Sequence, residues 1–352
     1  MKNTILFIFL LILLPSGLFA GKAGIDRHAL VTRHNIEWND VNGQIPLGNG
    51  EFCFNADGTG LQTFGGNTMS HWGWHSFPLP AGVTGDEIPS TGTYQKGRIT
   101  GPDIFPQGTS AIRSWMFDNP HIFNLGRIRL TKSGGVQLDP GEIKSIKRKM
   151  DLWSGIHSSE FYINDVLVKV TTCVHPVMDM VTFRIESELL RKGNLEIAVD
   201  FPYPDIQRGK PWSGSFDRTN GHRTILTKVP ENRYRADFMR EIDSVTYHSA
   251  LVWSKGGKLV LPDAGNPNST RLLTEGVSSV EMTLAFSASA LPSKTDDFGA
   301  TLKKCTKSWR TFWKSGGAID LSGSSDPRWK ELERRIVLSQ YLLAVQSAGS
   351  YP

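Results

Sequence analysis

The sequence is poor in cysteine, with only Cys53, Cys173 and Cys305 among its 352 residues. Their spacing matches no zinc-binding or redox motif, so neither a zinc centre nor a dithiol redox site is predicted. Two interpretations of the thiols stay open. An oxidising compartment permits one disulfide with one thiol left over, whereas burial would make all three behave as small apolar side chains.

The sequence also carries little net charge, +5 over 352 residues, with 21% of its residues charged. The one dense basic run, residues 144–149, lies in a strand-like segment and coincides with no nucleic-acid-binding motif. No nucleic-acid partner is therefore predicted. Nucleophile-elbow, P-loop and dinucleotide fingerprints are absent from the sequence, which leaves those enzyme classes and their cofactors without support.

One extended hydrophobic run is present, the ten residues 5–14, and it is too short to span a bilayer. Lys2 precedes this run, and Ala20 supplies a small residue at a cleavage position. Residues 1–20 are therefore predicted to be a secretory signal peptide. We expect an exported protein, periplasmic or extracellular, with no membrane segment after the signal is removed.

A long β pattern covers residues 126–287. Period-two or β-branched runs occur at residues 127–131, 143–150, 160–163, 166–174, 180–187, 195–201, 224–228, 234–238, 247–253, 258–261 and 280–287. Asn164 and Asp165 separate two of these runs and predict a short hairpin turn. So many strands without intervening helices predict a mainly β fold, a large antiparallel super-β-sandwich.

Helical spacing replaces the β pattern from residue 295 onward. Asp296 or Asp297 can cap a first helix, whose apolar positions are Phe298, Leu302, Cys305, Trp309 and Phe312.

A second helix is predicted near the end of the sequence, with Asp326 as N-cap and Pro327 as its first residue. From Ile336 onward this helix is apolar on more than one face, so it needs neighbours on several sides. Either the upstream domain buries it, or the chain is the front part of something longer.

Two segments resemble a known family. One is Trp309-x-x-Phe312-Trp313 followed by residues 319–349, and the other is the Pro-Leu-Gly-Asn-Gly-Glu-Phe stretch at residues 46–52. Together with the strands-then-helices order, they resemble the six-hairpin (α/α)6-barrel glycosidases, in particular glycoside hydrolase family 65-like proteins. The resemblance implies a sandwich at residues 21–294. Residues 295–352 would then hold linker helices and the first helix of a truncated barrel.

In that family the catalytic groups lie in the barrel, so the resemblance implies that they lie beyond Pro352. It further implies glycosidic bond cleavage in an oligo- or polysaccharide, with no cofactor. The alternative is a non-catalytic sugar-binding or scaffold sandwich. The sequence gives no oligomeric state.

Residues 33–75 are dense in groups that bind sugars, because aromatic rings stack on C–H faces while amides, carboxylates and imidazoles bond hydroxyls. The substrate-binding candidates are Asn35, Asn49, Glu51, His71, Trp72, Trp74 and His75. We expect their loops to face the barrel. The competing interpretation is that Trp72 and Trp74 are packing anchors, since aromatic residues pack more often than they bind.

A metal site is not predicted. His71 and His75 are spaced as a helical i, i+4 pair, but Gly73, Pro78 and Pro80 disfavour a helix, and no third ligand is identifiable.

Overall fold

A computed structural model describes residues 24–84, 93–95, 98–100, 110–205, 214–228, 234–261, 265, 267–274 and 276–350. The predicted signal peptide at residues 1–20 lies outside these ranges. Within them, β-strands precede two long helices, in the order expected from the sequence.

The described strands, in chain order, are β1 (Ile36–Trp38), β2 (Ile45–Gly48), β3 (Phe52–Ala56), β4 (Thr68–Ser70), β5 (Trp74–His75), β6 (Thr93–Gln95), β7 (Arg98–Thr100), β8 (His121–Ile122), β9 (Arg127–Lys132), β10 (Val136–Gln137), β11 (Lys144–Asp151), β12 (Ile156–Ile163), β13 (Val166–Val174), β14 (Met180–Glu186), β15 (Leu195–Asp200), β16 (His222–Lys228), β17 (Arg235–Ile242), β18 (Val245–Trp253), β19 (Gly257–Val260), β20 (Ser269–Thr274) and β21 (Ser279–Ser287). The described α-helices are α1 (Arg27–Thr32), α2 (Ser110–Asp118), α3 (Glu188–Arg191), α4 (Phe298–Ser315) and α5 (Trp329–Gln346).

Two antiparallel sheets form the sandwich. The larger has nine strands in the order β1-β11-β12-β13-β14-β21-β18-β17-β16, and the smaller has five in the order β10-β9-β15-β20-β19. Phe161 and Phe183 from the larger sheet share one buried core with Leu130 and Ile197 from the smaller. The predicted mainly β fold, a large antiparallel super-β-sandwich, is confirmed.

The β12–β13 hairpin has the predicted turn. Ile163 pairs with Val166, so Asn164 and Asp165 alone connect the strands. Both residues have positive φ, 48° and 60°, as a two-residue turn matching strand twist requires. Asn and Asp tolerate this left-handed conformation better than most residues, which is why the sequence signal was reliable.

The two long helices begin differently from each other. Of the two predicted cap residues, Asp296 and Asp297, it is Asp297 that caps α4, since its side chain accepts from the Ala300 amide at 2.8 Å. The predicted start of α5 at Pro327 is wrong, because the helix begins at Trp329. Asp326 instead accepts from the Arg328 backbone amide and pairs with its guanidinium, at 2.9 and 2.7 Å, which holds this segment in a turn.

Helix α5 is buried along one face only. Val337, Tyr341 and Val345 are at most 2% exposed, and the Tyr341 hydroxyl donates to the Pro46 carbonyl at 2.7 Å. The opposite side is open, with Leu332 53% and Leu343 60% exposed. The upstream domain therefore supplies part of the neighbours that the sequence pattern requires.

Two strands of the smaller sheet lie outside the predicted runs, the two-residue β10 and the longer β20. The buried positions of β20 alternate correctly, but two of the three are threonines, Thr270 and Thr274, with Leu272 between them. The hydrophobic signal is therefore too weak for a period-two pattern to stand out.

All three cysteines are free in the structure. Burial raises the pKa of the Cys53 thiol to about 12. A hydrogen bond to Cys305, followed by burial, raises the pKa of Cys173 well above its ordinary value. Of the two interpretations left open by the sequence, the structure agrees with three free thiols rather than one disulfide and one thiol.

Candidate functional site

Strands β3 and β4 form a hairpin whose side chains alternate between the core and an open cleft. Phe52, Phe54 and Thr68 point to the core and are at most 1% exposed. The alternate positions line the cleft in three cross-strand rungs, Glu51 with His71, Cys53 with Met69, and Asn55 with Asn67. Because strand side chains alternate with period two, one register places all six on the same face.

The first rung of the cleft is an acid–imidazole pair. His71 Nδ1 lies 2.9 Å from Glu51 Oε2. The other carboxylate oxygen accepts from the Ser350 backbone amide at 2.6 Å and from the Ser350 hydroxyl. The hydrogen bonds from Ser350, together with the nearby His71, lower the pKa of Glu51, so this carboxylate is ionised at neutral pH.

The third rung is an amide pair at the other end of the cleft. Asn55 Nδ2 donates to Asn67 Oδ1 at 2.5 Å. Gln62, from the loop that joins the strands, donates to the Asn55 and Asn67 carbonyls at 3.2 and 2.8 Å. Gln62 therefore fixes the backbone of this rung. The side-chain amides of Asn55 and Asn67 each keep hydrogen-bonding capacity beyond the bond that joins them.

Between its polar ends the cleft is apolar. Cys53 and Met69 form the middle rung, Ile122 of β8 lies beside them, and the last turn of α5 contributes Val345 and Gln346 as the opposite wall. The volume of the cleft is about 250 Å³.

Trp74 stands beside the cleft. Its indole Nε1 donates to the His71 carbonyl at 2.8 Å, and its backbone pairs with Ile122 across the β5–β8 ladder. The residue is 46% exposed. Its ring is therefore oriented by the protein while much of its surface stays open, as in an aromatic platform.

Asn49 has a structural use for every hydrogen-bonding group of its amide. Its Nδ2 donates to the His175 and Met178 carbonyls at 3.0 and 3.2 Å. Its Oδ1 accepts from the Glu51 and Phe52 amides at 3.0 and 2.9 Å. Asn49 therefore fixes the β2–β3 turn against the loop after β13.

Trp72 is anchored in the molecule. Its indole Nε1 donates to Asp179 Oδ2 at 2.5 Å, which also accepts from the Ser70 hydroxyl at 2.6 Å. The ring lies 6.1 Å from that of Tyr247 and packs against the core. This placement agrees with the packing-anchor interpretation of Trp72.

His75 is buried, 1% exposed, in a cluster of rings. Its Nε2 lies 2.9 Å from Asp243 Oδ2, which also accepts from the Tyr203 hydroxyl at 2.8 Å. Burial lowers the pKa of His75 despite the raising effect of Asp243. His71, in the turn after β4, and His75, on β5, thus lie in different environments.

Asn35 supports a turn away from the cleft, where its Oδ1 accepts from the Leu152 amide at 3.0 Å. The structure therefore brings together Glu51, His71 and Trp74, with Asn49 holding the adjoining turn. Asn35, Trp72 and His75 serve other parts of the sandwich.

Most cleft residues were not among the sequence candidates; those with polar or thioether side chains that this applies to include Asn55, Asn67, Met69 and Gln346. The period-two alternation around β3 and β4 was a signal that could have found the first three. Gln346 carries no such signal, because it reaches the cleft through tertiary packing of α5.

A buried carboxylate, Glu333 of α5, was also missed. It receives Arg33 Nε at 2.7 Å, His34 Nε2 at 2.7 Å and the Leu321 amide at 2.6 Å. Burial acts to raise the pKa of Glu333, but hydrogen bonds from Arg33, Leu321 and His34 outweigh it, so the pKa is lowered. The contacts of Glu333 join the segment after α1 to the α4–α5 linker and to α5.

A second concave surface is the α4–α5 groove, an apolar channel of about 520 Å³. Trp309, Phe312 and Leu343 contribute its large side chains, and Gly48 and Asn49 lie at one side. Phe312 is 37% exposed and Leu343 60%. The groove therefore presents an uncovered apolar surface directly beside the β2–β3 turn.

Among the described residues, no group of three or more His, Cys, Asp or Glu side chains is placed to hold a metal ion. No helix in the described ranges is long and apolar enough to cross a membrane.

Comparison with solved structures addresses the fold. A candidate kojibiose phosphorylase from the human microbiome matches 90% of this chain and 42% of its own, with a TM-score of 0.54 and 13% identity. A bacterial glucoamylase bound to acarbose matches 79% and 38%, with a TM-score of 0.41 and 9% identity. A family 92 α-mannosidase from Bacteroides thetaiotaomicron matches 63% and 31%, with a TM-score of 0.30 and 9% identity.

No protein-family model and no curated protein matches the sequence. The chain shares its sandwich-and-linker fold with part of the candidate kojibiose phosphorylase, which confirms the fold that the resemblance in the sequence implied. Of the three structures above, the candidate kojibiose phosphorylase is the one whose TM-score supports this comparison, and the chain spans 42% of its length.

Proposed function

We propose that this chain is the N-terminal part of an exported carbohydrate-active enzyme that cleaves glycosidic bonds, and that a helical barrel supplies the catalytic groups. The observation that carries the proposal is the α4–α5 groove together with the open side of α5. Soluble proteins seldom leave apolar surfaces of this kind uncovered unless another element or partner binds there. A barrel that begins with α5 would cover this surface.

The coverage of the solved structures is consistent with this proposal. The chain spans 42% of the candidate kojibiose phosphorylase, which leaves more than half of that protein without a counterpart here. Export is proposed from residues 1–20 alone. To test it, the protein is recovered from outside the cytoplasm and its N-terminal residue is determined, which shows whether residues 1–20 have been removed.

The cleft residues do not amount to a two-carboxylate glycosidase centre. Such chemistry normally uses two carboxyl groups about 5–10 Å apart that flank the scissile bond. The described cleft lining has one carboxylate, Glu51. The lowered pKa of Glu51 also keeps it ionised, which is unsuitable for a general acid at neutral pH.

An activity assay tests the proposal. The purified 352-residue protein is expected to show no hydrolysis or phosphorolysis of α-linked di- and oligosaccharides, with and without added phosphate. The protein made from the full reading frame, including any codons after Pro352, is expected to cleave at least one of them. Turnover by the 352-residue protein, or a stop codon directly after Pro352, would contradict the proposal and favour the sugar-binding alternative.

A further inference from the structure

We propose that the cleft between the β3–β4 hairpin and the end of α5 is a subsite for one neutral pyranose residue of a glycan. This inference rests on the proposed function for the class of ligand, but not for the position of the site. The site consists of Glu51 and His71 at one end, Asn55 and Asn67 at the other, and Gln346 on the facing wall.

The two polar ends of the cleft suit the hydroxyl groups of a sugar. A pyranose carries hydroxyls around its rim, each of which can donate one hydrogen bond and accept two. The amides of Asn55, Asn67 and Gln346 supply both donors and acceptors, while the other end, where Glu51 is already bonded to Ser350 and His71, is polar and carries the carboxylate charge. Four residues of strand separate Glu51 from Asn55, about 13 Å, so a ring and its substituents fit between the ends.

The middle of the cleft suits the C–H face of the same ring. Cys53, Met69 and Ile122, which are partly exposed, line it with apolar or weakly polar atoms. A thioether such as Met69 adapts its shape to the surface it contacts. A cleft that is polar at both ends and apolar between them matches the amphipathic surface of a pyranose better than that of a uniformly apolar ligand.

Size and charge narrow the ligand further. The small volume of the cleft, about 250 Å³, suits a single sugar ring rather than a chain of them. The ionised Glu51 repels an anionic sugar such as a uronate. Trp74, beside His71, offers an exposed ring for the next residue of the glycan.

Binding is measured by NMR on the 352-residue protein with ¹³C-methyl methionine. Met69 lies on the cleft floor, and a Met69→Leu variant assigns its resonance. The neutral probes are the methyl α-pyranosides of glucose, mannose and galactose. Methyl α-glucuronide tests the charge argument, and the open-chain polyol sorbitol tests recognition of the ring.

The expected result is a saturable shift of the Met69 resonance by at least one neutral pyranoside, at millimolar concentrations. Asn67→Ala and Gln346→Ala, on opposite walls, are each expected to raise the dissociation constant about fivefold, as the loss of one hydrogen bond does. The matched controls Asn194→Ala and Gln340→Ala, which change the same residue types outside the cleft, are expected to leave it unchanged.

Three results would overturn the inference. They are no saturable Met69 shift with any neutral pyranoside, equal weakening in the control variants, and binding of glucuronide or sorbitol as tight as that of the best pyranoside. If one cleft variant fails to fold, the variant on the opposite wall still decides. The activity of the full-reading-frame protein is a separate readout, so the subsite and the proposed function can fail independently.

Discussion

At the scale of single residues, hydrogen bonding and exposure together distinguish groups that hold the fold from those that keep an open surface. Asn49 uses both amide hydrogens and both lone pairs of its oxygen within the protein. The Trp72 indole N–H donates its hydrogen bond to Asp179. Trp74 also has its N–H bonded, but its ring is 46% exposed, so its stacking surface is still available.

His157 on β12 gives a prediction about pH. The residue is fully buried, and burial, followed by the nearby Arg148 charge, lowers its pKa to about 3. The unfolded chain binds a proton near pH 6.5, which the folded protein does not, so stability falls as pH drops below that value. We expect His157 to remove about 2 kcal/mol of unfolding free energy between pH 7.5 and pH 5.

Urea unfolding at the two pH values tests this expectation. The His157→Phe variant should lose about 2 kcal/mol less than the wild type over the same interval. His248→Phe, at a partly exposed position on β18, is the matched control and should behave as the wild type does. An equal pH dependence in His157→Phe and the wild type would show that His157 is not the buried neutral group described here.

At the scale of elements, the contact between α4 and the β11–β12 turn locks the first long helix onto the sandwich. Gly155 in that turn has φ of 70°, and a Cβ added there would collide with the Trp309 indole. Gly134 has a similar φ of 77°, but a Cβ there meets no described atom within 4 Å. Alanine substitutions at these two glycines therefore distinguish the cost of the positive φ from the cost of displacing the Trp309 side chain of α4.

We expect Gly134→Ala to cost about 1 kcal/mol of unfolding free energy, from the left-handed conformation alone. Gly155→Ala should cost about 3 kcal/mol or more, because the methyl group also displaces Trp309 and with it α4. Thermal unfolding measures both, and the Gly155→Ala/Trp309→Leu double variant should regain part of the loss. Equal costs at the two glycines would mean that α4 does not lie on this turn.

Elements with local signals were predictable, and those stabilised by distant contacts were not. The Asn164-Asp165 turn and the Asp297 cap depend on residues close along the chain, so both could be predicted from the sequence. The start of α5 was misplaced because Asp326 bonds within its own turn instead of capping the helix. The cleft was predicted only in part, since three elements far apart in sequence contribute its walls.

At the scale of the whole molecule, the two sides of α5 have different environments. Val345 is fully buried against the sandwich, whereas Leu343, two residues earlier, is 60% exposed in the α4–α5 groove. A charge at these two positions therefore tests separately whether α5 binds the sandwich and whether it binds a further helical domain.

In the 352-residue protein we expect Leu343→Glu to change the unfolding free energy by no more than about 0.5 kcal/mol, and Val345→Glu to lower it by more than about 3 kcal/mol. In the protein from the full reading frame, Leu343→Glu should cost about 2 kcal/mol or more, because the barrel would bury the charge. Chemical unfolding and activity measure these effects. If Leu343→Glu changes neither the unfolding free energy nor the activity of the longer protein, the barrel does not cover the α4–α5 groove.

Sequence patterns were sufficient for the β-sandwich, its hairpin turn, the two long helices and the six-hairpin resemblance, because period, turn chemistry and helix caps act between residues close along the chain. Folding in three dimensions was needed to tell which polar and aromatic residues face the cleft. Glu51 and Gln346, about 300 positions apart, share one cleft only because α5 packs across the β2–β3 turn. Such long-range packing leaves no periodic trace in the sequence.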